Sequence, residues 1–207
     1  MFIRHYDTGG WLLNSTKSEQ IVKLAGLFGV VGPIIALISI SLAILHAPWF
    51  NWKINALSDL GVSGVSAIFF NSGLIIGGIF TSIFGLGLKE ILPNGVLSRI
   101  GRVILVLDSI TLCTIGIFPE TAGRIHFYVS VVFFVLLPIS LLLIGTDFMR
   151  ERTKRKKGML MITSGLFTVF IWSFPWKGAA IPEILAALTI SLWSITLGFK
   201  LFRHENS

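Results

Sequence analysis

The chain has 207 residues, of which 54% are hydrophobic and 13% are charged, and its net charge is +7. A soluble domain carries roughly a quarter charged residues, so this composition argues against one and predicts that much of the surface faces lipid. The positive charges lie between long apolar segments, where membrane topology explains them, and we expect no nucleic-acid partner. The single cysteine, Cys113, cannot form an intrachain disulfide.

The N-terminal segment, residues 1–21, does not have the pattern of a signal peptide. Charged residues occur along it, and no continuous apolar stretch precedes Ile21. We predict a cytoplasmic N-terminal segment (1–21), one transmembrane domain (22–201) and a cytoplasmic tail (202–207). The predicted fold class is all-α: a polytopic membrane protein built as a compact bundle of six transmembrane helices.

Six apolar segments are long enough to cross a bilayer, which takes about 20 helical residues. They cover residues 22–46, 66–88, 100–118, 125–146, 158–174 and 183–201. The connections between them are short, so consecutive helices should be antiparallel neighbours. Glycines recur in the first two segments, and small residues let membrane helices approach closely. We therefore expect the first two helices to lie at the centre of the packing.

The distribution of Lys and Arg predicts the orientation. Of the 17 Lys and Arg residues, fourteen lie on one side of the predicted spans, and Lys53, Arg124 and Lys177 lie on the other. The positive-inside rule places the richer side in the cytoplasm. We therefore predict a multi-pass protein of the cell membrane with both termini inside, and we call the poorer side the outer side.

The predicted outer loops contain most of the residues that could bind a ligand or act chemically. Partly buried carboxylates and imidazoles suit acid–base work, and basic side chains can hold an anionic headgroup. The candidate acids and base are Asp59, Glu120 and His126. The wider predicted ligand-binding set adds Asn55, Ser58, Asn71, Arg124 and Lys177.

Two functions are consistent with this outer set. The first is binding or handling of a lipid or another small amphiphile in an outward-facing polar cavity. The second is a membrane-embedded enzyme that acts on a lipid or lipid-linked substrate by acid–base chemistry. A plainer interpretation is that Asp59 is the N-cap of the second helix, while the other charges pair locally or face water.

A metal site has little support in the sequence. One histidine with two acids from separate loops is fewer ligands than zinc usually takes, and His5, His46 and His204 lie elsewhere. We expect neither a metal nor another cofactor. Membrane lipids are the expected partners, and the possibility of a homo-oligomer stays open.

Asp108 is the one carboxylate inside a predicted span, about 12 Å along the third helix. A charge at this depth is costly and usually faces the bundle interior. It could be a protonated acid bonded to hydroxyls, for which the sequence offers Thr81, Ser82, Ser140 and Ser164. The alternative is a proton or cation relay in a small transporter.

Several short motifs resemble a prokaryotic six-helix membrane family catalogued as a domain of unknown function, number 998. They are Asn55-Ala56-Leu57-Ser58-Asp59-Leu60-Gly61, Phe70-Asn71-Ser72-Gly73-Leu74, Gly116-Ile117-Phe118-Pro119-Glu120 and His126. The resemblance covers residues 22 to 201 and implies a six-helix membrane fold. It implies no particular reaction, substrate or cofactor. The matched polar residues fall on the predicted outer side, which favours a shared outer site.

Overall fold

A computed structural model describes the backbone of residues 8–203 and the side chains of residues 19–203. The described residues form six α-helices and no strand. The helices are α1 (Thr8–Leu45), α2 (Gly64–Gly87), α3 (Val96–Ile117), α4 (Arg124–Arg150), α5 (Arg155–Ile171) and α6 (Ala180–Phe202). Short 3-10 turns lie in four of the connections, at Leu57–Gly61, Leu88–Glu90, Glu120–Ala122 and Arg152–Lys154. The predicted all-α class is confirmed. The side chains of His5 and His204 lie outside the described residues.

Five of the helices are long and apolar enough to cross a membrane. They are Glu19–Leu45 within α1, Gly64–Glu90, Val96–Ile117, Arg124–Arg150 and Ala180–Phe202. Their outward surfaces are apolar: Ile68, Val96 and Leu192 are 68%, 67% and 64% exposed. Such a surface would be unfavourable in water over this extent, and hydrocarbon accommodates it. The chain is therefore a helical membrane protein.

The fifth helix differs from its prediction. It has 17 residues and ends at Ile171 instead of residue 174, so its length is about 25 Å against a hydrocarbon layer of about 30 Å. Pro175 disfavours helical backbone at Phe174, and the indole N–H of Trp176 donates to the carbonyl of Ile171 at 2.6 Å. This bond satisfies a terminal carbonyl and fixes the helix end. The other large difference is α1, which begins at Thr8, inside the predicted N-terminal segment.

The helices pack in chain order around the bundle. Each of α1 to α4 packs on the next helix in the chain, and α6 returns to pack on α1. The α1–α2 contact is the most extensive, and its glycines allow a close approach: a Cβ atom at Gly73 would overlap the side chain of Ser39. By contrast, α5 and α6 touch only sparingly. The ring of helices is therefore open on the side where α5 and α6 face each other.

A proline inside α1 determines one contact across the bundle. Pro33 has no N–H, so the carbonyl of Gly29 loses its helical partner. The hydroxyl of Ser194 in α6 donates to this carbonyl at 2.8 Å. An unsatisfied carbonyl is costly in a membrane interior, and the bond therefore joins α1 to α6.

The start of α3, after the connection from α2, is capped by Asp147 of α4, which is 2% exposed. One carboxylate oxygen accepts the backbone N–H of Ser98 at 2.7 Å, and the other accepts the guanidinium of Arg150 at 3.0 Å. A carboxylate favours the positive end of a helix dipole. Asp147 at the end of α4 thus caps the start of α3, a role that the sequence analysis did not assign.

Candidate functional site

Three connections meet at the predicted outer end of the bundle: residues 46–63, 118–123 and 172–179. The first folds inward through the 3-10 turn Leu57–Gly61, which is anchored by the buried side chains of Leu57 and Leu60. The backbone N–H of Ala180 donates to the carbonyl of Asn55 at 2.9 Å, which ties this loop to the start of α6. The loop therefore brings Ser58 and Asp59 beside the ends of α4 and α6.

Asp59 organises the first loop from within. Its Oδ2 atom accepts the side-chain amide of Asn55 at 2.7 Å and the backbone N–H of Ala56 at 3.0 Å. The interpretation of Asp59 as the N-cap of the second helix is wrong, because α2 begins five residues later, at Gly64 with Ser63 as its cap. Instead, Asp59 reaches back to the start of its own 3-10 turn.

A hydrogen bond joins the carboxyl groups of Asp59 and Glu120. This bond, then burial, then the negative charges of Asp59 and Glu183, raise the pKa of Glu120 to about 7. Burial acts to raise the pKa of Asp59 as well, but its hydrogen bonds with Glu120, Asn55 and Ala56 together lower it. Near neutral pH the pair therefore shares one proton, with the Glu120 hydroxyl donating to the Asp59 carboxylate.

Glu183 adds a third carboxyl group to this end. It lies in the first turn of α6, and its Oε2 accepts the backbone N–H of Leu57 at 2.6 Å. Glu183 was not among the predicted site residues. The available signal was an acid at the start of the last predicted span, on the same side as Asp59 and Glu120.

His126 lies in the first turn of α4 and is 7% exposed. Its Nδ1 is 2.8 Å from the carbonyl oxygen of Phe118, and its Nε2 is 3.3 Å from the hydroxyl of Ser130. A carbonyl oxygen only accepts, so Nδ1 carries the hydrogen, and in the neutral ring Nε2 accepts from Ser130. Among the described residues neither Asp59 nor Glu120 bonds to this ring. Ser130 is a neighbour that the sequence analysis missed, although it lies one turn beyond His126.

These groups stand at one end of a cleft of about 830 Å³ between α4, α5 and α6. The polar lining consists of Ser58, Glu120, His126, Ser130 and Glu183. The rest is mainly apolar: Phe127, Val131, Phe134, Val135, Pro138, Ile139, Leu142, Val169 and Trp172. From Gly123 to Leu142 the cleft follows α4 for about 28 Å. It opens sideways onto the apolar surface, because α5 and α6 leave the ring of helices open.

The remaining predicted site residues lie outside the cleft. Asn55 supports Asp59, and the side-chain amide of Asn71 donates to the carbonyl of Gly61 at 3.0 Å behind the loop. Arg124 and Lys177 are exposed and do not line the cleft. His46 bonds to the carbonyl of Leu42 at 2.8 Å. No group of three His, Cys, Asp or Glu within the described side chains is arranged to hold a metal ion.

Asp108 is buried in the middle of the bundle, at 2% exposure, away from the cleft. The expectation that it bonds to neighbouring hydroxyls is wrong for the residues described here. Ser82 bonds to Ser109 at 2.7 Å, Ser140 donates to the carbonyl of Leu137 at 2.8 Å, and no protein group bonds to the Asp108 Oδ1 atom.

Comparison with known families identifies the chain. Residues 30–200 match the family described as "Protein of unknown function (DUF998)", and the chain belongs to this family. The match agrees with the family resemblance carried by the outer-loop motifs. No curated protein and no solved structure matches the chain.

Proposed function

We propose that this protein binds a membrane amphiphile, with its headgroup among the carboxyl groups and His126 and its apolar tail along α4. The observation that carries the proposal is the cleft itself, which is polar at one end and apolar over the rest of its length. Ligand sites of this size are usually apolar with a few polar groups that fix orientation. The sideways opening suits a ligand that enters from the bilayer.

The charge of the lining favours one class of headgroup. Glu120 and Glu183 line the polar end, and the described part of the lining contains no Lys or Arg. Carboxylates pair with ammonium groups and accept hydrogen bonds from hydroxyls. We therefore favour an amine-bearing or hydroxyl-bearing amphiphile over the anionic headgroup suggested by Arg124 and Lys177 in the sequence.

The test is to fill the apolar part of the cleft and measure bound ligand. Val135 lines the cleft and is 49% exposed, whereas Val132 is 43% exposed on the same helix and does not line it. Native mass spectrometry of protein released from detergent should show a bound amphiphile in the wild type and in Val132→Trp, with most of it lost in Val135→Trp. Wild-type protein without a bound amphiphile, or equal occupancy in both variants, would contradict the proposal.

A second candidate function, hydrolysis of an ester-linked amphiphile, is favoured by the Ser130–His126 hydrogen bond. Helical Ser and Thr hydroxyls usually donate to a carbonyl three or four residues back, as Thr146 does to Leu142. Ser130 instead has the His126 ring as its partner. The Ser130 oxygen would attack the ester carbonyl while Nε2 takes its proton and passes it to the departing alcohol, after which water releases the acid.

This second function is tested with a fluorescent ester lipid in mixed micelles. Ser130→Ala should abolish release of the fatty acid while the amphiphile still binds. Ser72→Ala, an exposed hydroxyl on α2, is the matched control and should keep the wild-type rate. Equal rates in Ser130→Ala and wild type would rule out this chemistry.

A further inference from the structure

A second, smaller cavity lies in the centre of the bundle, separate from the cleft. Its volume is about 50 Å³, and residues of α1, α2, α3, α4 and α6 enclose it. Asp108 lines this cavity, is 2% exposed, and has an Oδ1 atom without a hydrogen-bond partner among the described residues. A buried carboxyl group without a partner requires an explanation in a native structure.

Two further oxygen atoms face the same cavity without a partner. Thr81 of α2 and Ser191 of α6 line it, and within the described part of the chain neither hydroxyl forms a hydrogen bond. Their neighbours behave differently: Ser109 donates to the carbonyl of Val106 and Ser194 to that of Gly29, both at 2.8 Å. Among the hydroxyl residues that line the cavity, Thr81 and Ser191 are therefore the two without a hydrogen bond.

These three oxygen atoms lack a partner that a small ligand in the cavity would supply. They come from three different helices and form no hydrogen bond with one another in the described structure, yet they border one small space. An ionised carboxyl group in a membrane interior needs a positive partner, and the described lining contains no basic side chain. A cation would neutralise Asp108 and use the hydroxyl oxygens as ligands.

We propose that the central cavity binds one small monovalent cation, with the Asp108 carboxylate as its charged ligand and the Thr81 and Ser191 hydroxyls as neutral ligands. Oxygen ligands of this kind suit hard cations. A divalent ion is disfavoured because one carboxylate would leave a net positive charge in a low-dielectric site. The volume suits an ion with at most one or two waters, since a water occupies about 30 Å³.

A smaller cavity of about 20 Å³ adjoins this site. It shares Thr81 and Ser194 with the central cavity and is also lined by Trp193, whose indole N–H is buried without a partner in the described structure. An N–H group donates and cannot ligate a cation. The space is large enough for one water, which would accept from Trp193 beside the ion.

The proposal is tested by thermal unfolding of the detergent-purified protein in sodium chloride against choline chloride at equal ionic strength. A ligand that binds the folded state raises Tm by mass action. At a sodium concentration about ten times Kd, the expected rise is about 3–6 °C. Asp108→Asn should lose this rise.

Two smaller substitutions keep the test decisive if Asp108→Asn does not fold. Thr81→Val should weaken the sodium effect, as should Ser191→Ala. Thr114→Val is the matched control, because Thr114 lies outside the cavity lining and its hydroxyl donates to its own helix at 2.8 Å; it should keep the full effect. Equal Tm values in sodium and choline for the wild type would overturn the proposal and leave a proton as the neutralising partner. A sodium effect that survives in Asp108→Asn, or that Thr114→Val loses as completely as Thr81→Val, would overturn it too.

Discussion

The Glu120 carboxyl group bonds to the Asp59 carboxylate and thereby joins the second outer connection to the first. Two adjacent carboxylates repel each other, so one of the two groups keeps a proton near neutral pH. Asp59 is the ionised partner because it accepts from Asn55 and Ala56 as well. The polar end of the cleft is therefore sensitive to pH in the physiological range.

This pair predicts how stability depends on pH. The pKa of Glu120 is about 7 in the folded protein against an ordinary value of 4.5, so between these values the folded state binds more protons than the unfolded chain. The contribution of Glu120 to the free energy of unfolding is therefore complete below pH 4.5 and is lost as the pH rises through 7. Asp59 has the opposite sign, but its contribution is lost only as the pH falls below about 3.8.

We expect Tm, measured by tryptophan fluorescence in detergent, to fall as the pH rises from 4.5 to 7.5. The fall should be smaller in Glu120→Gln, which cannot lose a proton. Glu90→Gln changes an exposed acid beside Lys89 at the other end of the bundle and should leave the slope unchanged. A wild-type slope in Glu120→Gln would show that another group causes the dependence.

The two described histidines give a matched comparison for the cleft. Each bonds through Nδ1 to a backbone carbonyl at 2.8 Å, but His126 lines the cleft and His46 is exposed outside it. His126→Ala removes a buried hydrogen bond, at a cost of about 1–3 kcal/mol in stability, together with one wall of the polar end. We expect it to lower amphiphile occupancy in native mass spectra, and His46→Ala to leave occupancy unchanged. Equal occupancy in the two variants would mean that the imidazole does not contact the ligand.

Much of the fold follows from the sequence because hydrocarbon allows so few solutions. Each long apolar segment must satisfy its own backbone, so six segments predicted six helices. The fifth ended early because Pro175 and Trp176 act locally, through backbone restriction and a side-chain hydrogen bond, which a hydropathy pattern does not register. Asp147 was missed for a related reason: its partner is the N–H of Ser98 in another helix.

The site was harder to predict than the fold. The motifs pointed to the loops at one end of the bundle, but a charged residue in a loop can face a cavity or water, and only packing decides between them. Packing turned Glu183 toward Leu57 and left Arg124 and Lys177 exposed. The cleft itself depends on the weak α5–α6 contact, a property of two surfaces that no single segment reveals.

The orientation stays a prediction and has a direct test. In a Cys113→Ser background, single cysteines replace Lys53 in the first outer connection or Lys154 in the α4–α5 connection. A membrane-impermeant maleimide applied to intact cells should label position 53, and position 154 only after permeabilisation. The reverse pattern would invert the topology and place the polar end of the cleft on the cytoplasmic side.

The Ser194–Gly29 hydrogen bond predicts a coupling between two distant substitutions. Ser194→Ala leaves the Gly29 carbonyl without a partner in the bundle interior, so we expect a loss of about 1–3 kcal/mol in the free energy of unfolding. Thr196→Ala removes an exposed hydroxyl that donates to its own helix and should cost less than about 0.5 kcal/mol. Pro33→Ala restores an N–H to α1, and this N–H can reach the same carbonyl.

In the Pro33→Ala background the Gly29 carbonyl no longer depends on α6, so Ser194→Ala should cost less there than in the wild type. A double-mutant cycle measured by unfolding in mixed micelles gives this difference directly. The comparison should be made in choline chloride, because Ser194 also borders the central cavity and a bound cation would add its own stabilisation. If the cost of Ser194→Ala were the same in both backgrounds, the hydroxyl would be acting through packing, and the missing proline N–H would not be the reason that α6 binds α1 at this point.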